Sequence, residues 1–396
     1  MSTSPIATFS CPSCESKCVT VFYETLSAPV NSVLLLSTRD EAMTFPTDDI
    51  RLGLCHRCGF IYSTSFNPTR VEYSSRCEES QGFSPFFKAW HENLARRLIN
   101  RYSLHGKKIV EIGCGKGEFL ALLCDLGDNR GTGFDPAYVP DRIAPGSADR
   151  IQFIRDFYSE MHSGLRGDFL CCKMTLEHIS DTGQFIRMVR SSLRKAPHAC
   201  VFFQVPNVLR ILKEEAFWDI YYEHCSYFSS GSLARLFRRS GFDVLDVGYE
   251  YSDQYVTIEA RVGDQTERRF AAEEDLQNLE ELVETFATRV PTRIAQWRIR
   301  LEEYLKKGLK TVAWGAGSKG VTFASVLDVP GSIEYVVDVN PNMSGHYLAK
   351  TGLKIVAPSV LYDYRPDVVI VMNPVYREEI AEQLKTLGLA PQVISI

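Results

Sequence analysis

Glu223 and His224 stand side by side in the run Tyr221-Tyr222-Glu223-His224-Cys225-Ser226-Tyr227-Phe228-Ser229. A histidine titrates near neutrality, and an adjacent carboxylate can orient or tune it, so the pair suits general acid–base work. The alternative is a solvated pair at a helix N-terminus. A second histidine, His178, lies in Leu176-Glu177-His178-Ile179, just after the apolar stretch 169–173. If 169–173 is a strand of a parallel sheet, that histidine sits at the sheet's mouth, where ligands bind. It could also simply pack beside a ligand.

Cysteines supply a different chemistry. Cys11-Pro12-Ser13-Cys14 and Cys55-His56-Arg57-Cys58 are two C-x-x-C knuckles. Four thiolates paired in this way suit a closed tetrahedral Zn²⁺ site of the structural kind, with no position left open for catalysis. Cys18 is expected to stay outside it. The chain has 12 cysteines in all. The expectation of a cytoplasmic chain makes disulfides improbable partners for them.

Two glycine turns complete the set. Glu111-Ile112-Gly113-Cys114-Gly115-Lys116-Gly117 follows an apolar strand and precedes the helical run from Glu118. A nicotinamide fingerprint wants a further glycine where Glu118 stands, so a dinucleotide is not the expected tenant. E-x-G-x-G-x-G resembles instead the first motif of class I S-adenosylmethionine-dependent methyltransferases. Its glycines let backbone approach the methionine part of that cofactor. Asp135 ends the next strand and is placed for the ribose hydroxyls, as the acid of a Rossmann unit is. Asp156-Phe157 follows the third strand; by the resemblance the acid holds the adenine amine and the ring lies against the base. The second turn, Gly315-Ala316-Gly317-Ser318-Lys319-Gly320, is a full G-x-G-x-x-G, with Asp338 ending the following strand. Alone it is a dinucleotide signature, open to NAD(P), to the pyrophosphate of a nucleotide sugar, or to nothing.

The elements that must hold these groups alternate. Strands are expected at 109–112, 131–135, 169–173 and 200–205, with helices at 83–103, 118–126, 181–193 and 233–240. A closing strand pair is expected at 242–249 and 255–262. This rhythm implies a mostly parallel sheet covered on both faces. Residues 266–308 are charge-rich, and Pro291 predicts two helices or one kinked helix there. A second α/β unit follows, with strands at 310–314, 333–338 and 368–372. With 396 residues, two or three domains are expected. The net charge of −5 gives no support for a nucleic-acid binder. No apolar run approaches the ~20 residues of a membrane span.

Taken in order, C-x-x-C…C-x-x-C, E-x-G-x-G-x-G, Y-x-E-H-x-x-Y-F-S and the late G-A-G-S-K-G with V-D-x-N-P resemble the three-domain sugar C-methyltransferase family. Val371-Met372-Asn373-Pro374 followed by Tyr376 fits the same pattern. The resemblance covers nearly the whole chain. It implies an α/β protein whose central domain is a doubly wound, Rossmann-like class I methyltransferase sheet. A zinc-binding domain is expected over 1–75, the methyltransferase domain over 76–264, a helical linker over 265–308 and a Rossmann-like C-terminal domain over 309–396. The expected cofactors are S-adenosylmethionine and structural zinc. The expected reaction is methylation of the carbon beside the ketone of a dTDP-type keto-deoxysugar, through an enolate raised by a base. His224 matches that base, Glu223 its partner or a ligand of a substrate hydroxyl, and His178 an enolate stabiliser or proton relay. Tyr73, Tyr222, Gly315, Gly317, Lys319 and Asp338 are expected to meet the acceptor. The sequence departs from the family in one place: the tyrosine of the segment joining the first two domains falls on Cys77, with Tyr73 the nearest substitute. Competing readings are a methyltransferase on a non-sugar, natural-product acceptor, an NAD(P) oxidoreductase working through the second turn, and a non-catalytic nucleotide-sugar scaffold. Monomer and homodimer are both open.

Overall fold

The structure, a computed structural model, describes residues 9–140, 142–143, 149–162, 167–196, 198–263 and 269–396. Its strands in chain order are β1 (Val19–Pro29), β2 (Thr47–Cys55), β3 (Ile61–Ser63), β4 (Lys108–Ile112), β5 (Arg130–Phe134), β6 (Ile151–Ile154), β7 (Phe169–Lys173) and β8 (Cys200–Pro206). They continue as β9 (Ser226–Tyr227), β10 (Phe242–Glu250), β11 (Tyr255–Val262), β12 (Thr311–Trp314), β13 (Tyr335–Val337), β14 (Lys354–Val356), β15 (Val368–Val371) and β16 (Gln392–Ser395).

The central sheet has the order β10-β11-β8-β7-β4-β5-β6. β4 to β8 run parallel, while β11 lies antiparallel to both β8 and β10. Alternation along the strands explains why both faces are covered. Val110, Ile112, Leu170, Cys172, Val201 and Phe203 join one core, and Ile109, Phe169, Cys171 and Phe202 join another. The helix Pro85–Tyr102 closes the second face. Ser84 caps it by accepting from the Phe87 N–H, Pro85 pre-sets its first turn, and Leu94, Ala95, Leu98 and Ile99 form its buried stripe. This is the doubly wound α/β sheet the glycine turn calls for, with the turn at the C-terminal end of β4.

The C-terminal sheet is all parallel, in the order β14-β13-β12-β15-β16. Its second glycine turn leads from β12 into the helix Ser318–Leu327. The N-terminal sheet has the order β1-β2-β3-β9. Its last strand, Ser226–Tyr227, comes from beyond the expected first boundary at residue 75, so the cysteine-bearing sheet is completed by the segment that carries Glu223 and His224.

Pro291 does not divide the 266–308 region. Leu276–Lys306 is one helix of 31 residues with the proline inside it. A mid-helix proline costs ~3 kcal/mol or more in a lost hydrogen bond and ring clash. Burial offsets that: Leu279, Val283, Phe286, Val290, Trp297 and Leu301 all enter one core. That core also takes Leu36 and Leu52 from the N-terminal unit, Phe217 and Trp218 from the middle of the chain, and Phe323 and Ile370 from the C-terminal unit. The helix is therefore a shared wall rather than a spacer. The boundary expected at 264/265 falls outside the described residues. Among the described residues no helix is long and apolar enough to cross a membrane.

Candidate active site

The first glycine turn is shaped by backbone needs. Gly113, Gly115 and Gly117 all have positive φ, 68°, 52° and 85°. At Gly113 a Cβ would stand 1.9 Å from Thr175 Oγ1, so two loops at the sheet mouth approach as backbone only. Asp135 braces the turn: Gly115 N–H donates to its Oδ2 (2.9 Å) and Ala137 N–H to its Oδ1 (2.7 Å). Burial pushes its carboxyl above the usual range despite those bonds. Glu111 lies under the turn, 2% exposed, with Oε2 lacking a partner among the described residues. Burial raises it to about 7, while the nearby Lys173 ammonium opposes that rise. Lys173 is itself brought down to about 8 by burial. Asp156 and Phe157 are exposed at the end of β6, and Phe157 meets the edge of Tyr73, ring centroids 6.0 Å apart.

Tyr73, His178, Glu223 and His224 converge beside this turn. Tyr73 Oη lies 3.1 Å from His178 Nδ1, and the Glu223 backbone near the same ring partly opposes the effect of its burial. The two imidazoles meet edge to face with centroids 4.7 Å apart, and Tyr221 covers His224 at 4.7 Å. Burial depresses both histidines, His178 to about 4; for His224 the repulsion of His178 and Lys319 adds to the same direction. Both rings are therefore neutral at pH 7 and able to accept a proton. Glu223 is 4% exposed. Its Oε1 accepts from the Ser32 N–H (2.9 Å) and contacts Ser32 Oγ, while Oε2 has no partner among the described residues. Ser32 Oγ in turn lies 2.7 Å from Ser318 Oγ, in the second glycine turn. One site thus draws on the N-terminal unit, the central sheet and the C-terminal unit.

The remaining expected acceptor residues are placed differently. Tyr222 is a core residue, 1% exposed, whose hydroxyl accepts from the Asn67 N–H (3.0 Å) and reaches Asp48 (3.2 Å). Its phenol is spent on the N-terminal sheet. Lys319 forms an ion pair with Asp219, which also holds Arg210 and the Tyr221 hydroxyl. Asp338 folds back on its own turn, accepting from Ala316 N–H (2.8 Å) and Asn340 N–H (2.8 Å). Gly315 and Gly317 shape that turn. The acid and lysine of this G-x-G-x-x-G are therefore both engaged within the protein.

Several residues of the site carry no signal in the sequence. Ser32 and Ser318 are ordinary serines far apart in the chain. Lys173 has one clue, a lysine closing an otherwise apolar strand. Glu78 is buried, pairs with both guanidinium nitrogens of Arg142 (2.9 Å each), and accepts from Asn340 Nδ2 (2.9 Å). The segment around it links the first glycine turn to the loop after β13, through Lys116 and Asn340.

The four knuckle cysteines gather at one end of the N-terminal sheet. Cys11 Sγ is 3.7 Å from Cys58 Sγ, and Cys14 Sγ is 3.6 Å from Cys55 Sγ. Zn–S bonds of ~2.3 Å in a tetrahedron put sulfurs about 3.8 Å apart. All four ligand atoms lie within 4.8 Å of one another, and none of the cysteines is in a disulfide. The donor set fits zinc. Cys18 is exposed and outside it.

The central sheet with its braced glycine turn is Rossmann-like, and residues 87–247 match the family model described as "Methyltransferase domain". Residues 255–390 match a second, described as "C-methyltransferase C-terminal domain". The chain is thus an S-adenosylmethionine-dependent C-methyltransferase that joins the two domains. It is similar to the C-methyltransferase NovU of Streptomyces niveus, 27% identical over 297 residues, covering 71% of this chain and 69% of that protein. Among solved structures it is similar to the [4+2]-cyclase SpnF, at 17% identity and a TM-score of 0.37 over 48% of this chain and 86% of that one. It is also similar to the 1,6-didemethyltoxoflavin-N1-methyltransferase of Burkholderia thailandensis, at 17% identity and a TM-score of 0.35 over 46% and 82%. Likenesses at these scores carry nothing about chemistry.

Proposed function

We propose that the chain methylates the carbon beside the ketone of a nucleotide-activated keto-deoxysugar of the dTDP type. The supporting observation is the convergence of Tyr73, His178, Glu223 and His224 at the open end of the parallel strands, next to the braced glycine turn. The N-terminal unit up to residue 75 holds zinc and frames the site, 76–264 binds the methyl donor, and 309–396 binds the acceptor, with the 265–308 region as the wall between them.

Bound S-adenosylmethionine supplies an electrophilic methyl group. Glu111, Gly113, Gly115, Gly117 and Asp135 hold it, with Asp156 and Phe157 at its adenine. His224, neutral and buried, takes the acidic proton beside the carbonyl. His178, fixed by Tyr73, stands where it can stabilise the enolate oxygen. Glu223, anchored on one oxygen by Ser32, keeps the other for an acceptor hydroxyl. Positioning the acceptor carbon in line with the methyl group then supplies most of the remaining rate.

A second reading, a non-sugar acceptor, draws on one observation: Lys319 and Asp338 are tied up internally, which leaves the second glycine turn few free groups for a nucleotide. Labelled S-adenosylmethionine presented with dTDP-, UDP- and GDP-keto-sugars separates the two. Label in one of these sugars is expected. No transfer to any keto-sugar, with transfer to another metabolite, would overturn the sugar reading. Solvent deuterium exchange beside the carbonyl should vanish in His224→Gln; full exchange in that variant removes His224 from the role of base.

A further inference from the structure

Glu177 is the most enclosed carboxyl of the site, 0% exposed, and neither of its oxygens has a hydrogen-bond partner among the described residues. His224 Nδ1 is buried and unpartnered as well. One Glu177 oxygen and ring nitrogens of His178 and His224 lie within 4.8 Å of one another. An unpaired buried carboxylate is expensive, and so is an unpaired imidazole nitrogen. Both are acceptors when Glu177 is ionised and His224 Nδ1 is bare. A single proton between them satisfies both.

We propose that Glu177 is a positioning residue: its carboxylate holds the Nδ1 proton of His224 and turns Nε2 toward the acceptor. The inference rests on His224 being the base. The step balances as follows. The acceptor C–H bond breaks, its proton forms the Nε2–H bond, and the electron pair stays on the enolate. That pair then forms the new C–C bond as the C–S bond to the leaving S-adenosylhomocysteine breaks. Meanwhile the imidazolium, enclosed beside His178 and within the field of Lys319, is balanced by the Glu177 anion, as in the histidine–carboxylate half of a catalytic triad.

The same three groups are spaced for a divalent cation. His178 argues against one, because its Nδ1 is already bonded to the Tyr73 hydroxyl. Lys319 would also repel it.

The groups facing Glu177 are His178 and His224, with Tyr73, Tyr255, Cys172, Cys225 and Glu223 around them. Burial raises the Glu177 carboxyl to about 8. Below that pH the carboxyl carries the shared proton and donates it to a bare Nδ1; above it the carboxylate is an acceptor only, and the shared proton sits on Nδ1. The arrangement is therefore switched on as pH rises through about 8.

The test is ¹⁵N NMR of histidine-labelled full-length zinc protein with S-adenosylhomocysteine bound, the His224 signals assigned by their loss in His224→Gln. His224 is expected to be the Nδ1–H tautomer at pH 9, with a shift of its ring nitrogens centred near the Glu177 midpoint. That shift should vanish in Glu177→Gln and return, displaced, in Glu177→Asp. Retained S-adenosylhomocysteine binding certifies the fold of each variant. A shift that persists in Glu177→Gln, or an Nε2–H tautomer in the wild type at pH 9, would overturn the proposal, as would broadening of the His178 and His224 signals by stoichiometric Mn²⁺. The readout needs no acceptor, so it fails or succeeds separately from the sugar reading and from the exchange assay on His224.

Discussion

Replacing Gly113 by alanine tests the shape of the first turn. Two penalties should meet there. The backbone sits at φ 68°, a region that costs an ordinary L residue roughly 1–2 kcal/mol. The new Cβ would also fall 1.9 Å from Oγ1, 2.6 Å from Cγ2 and 2.7 Å from Cβ of Thr175. Thr175 cannot simply rotate away, because its own Cβ is among the atoms too close, and a forced shift in packed surroundings costs about 1–3 kcal/mol more. Gly106→Ala is the internal control. Gly106 has nearly the same φ, 64°, has nothing within 4 Å of a built Cβ, and precedes the opposite end of β4. It should feel the backbone penalty alone. At about 2–4 °C per kcal/mol for a domain of this size, Gly113→Ala should melt several degrees below Gly106→Ala. Calorimetric titration should then show S-adenosylhomocysteine binding weakened at least tenfold in Gly113→Ala and unchanged in Gly106→Ala. Equal melting and equal affinity in the two variants would refute the account of the turn as a close approach that only glycine permits.

Two further outcomes follow from the geometry. Purified protein should contain about one zinc per chain, and Cys55→Ser or a strong chelator should release it and loosen the N-terminal sheet; a metal-free protein with unchanged melting would remove zinc from that site. His178 should make the fold sensitive to acid. Its folded value is near 4 and its unfolded value near 6.5, so the unfolded chain binds the extra proton first, and stability is lost as pH falls from about 6.5 toward 4. The full effect is on the order of 3 kcal/mol, and His178→Gln should flatten urea midpoints over that window; an unchanged slope would mean the ring is not held neutral.

Where the chain was readable, one face or both faces of an element were apolar over several residues. Phe169–Lys173 and Cys200–Pro206 stand out because strands covered on both faces are apolar throughout. Lys354–Val356 and Gln392–Ser395 are too short for any period to show, yet they complete the C-terminal sheet. Pro291 leaves two helices and one kinked helix both open, because local propensity carries no information about the core that the Leu276–Lys306 helix enters. The site divides in the same way. His178, Glu223 and His224 are unusual residues in unusual runs. Ser32, which anchors Glu223, and Asp219, which engages Lys319, matter only through contacts with partners 191 and 100 residues away. A motif likewise shows that Asp338 closes a strand. It does not show that both oxygens of that acid return to their own turn.

That inward pairing bears on how two substrates are brought into register. The segment 73–80 touches His178, the first glycine turn and the loop after β13. Tyr73 sets His178, and the carbonyl of Cys77 shares the buried Lys116 ammonium with that of Ala137, at 2.8 and 2.9 Å. Glu78 stands between Arg142 and Asn340, while Ser80 reaches Glu118 at the head of the helix after the first turn. A buried ion pair adds little net stability, but breaking one side of it costs about 3–5 kcal/mol. The Glu78 carboxylate therefore ties the loop after β5, through Arg142, to the loop after β13, through Asn340. Asn340 lies in the loop after β13 and Lys116 in the first glycine turn, so the strap joins that turn to the C-terminal unit through groups that are costly to separate. Methyl transfer to carbon needs donor and acceptor held to within a fraction of an ångström. A shared buried strap does this without a rigid contact between the two ligands. It also explains why the lysine and acid of the second turn are spent on structure: that turn serves as a fixed edge of the site, with Ser318 presented to it.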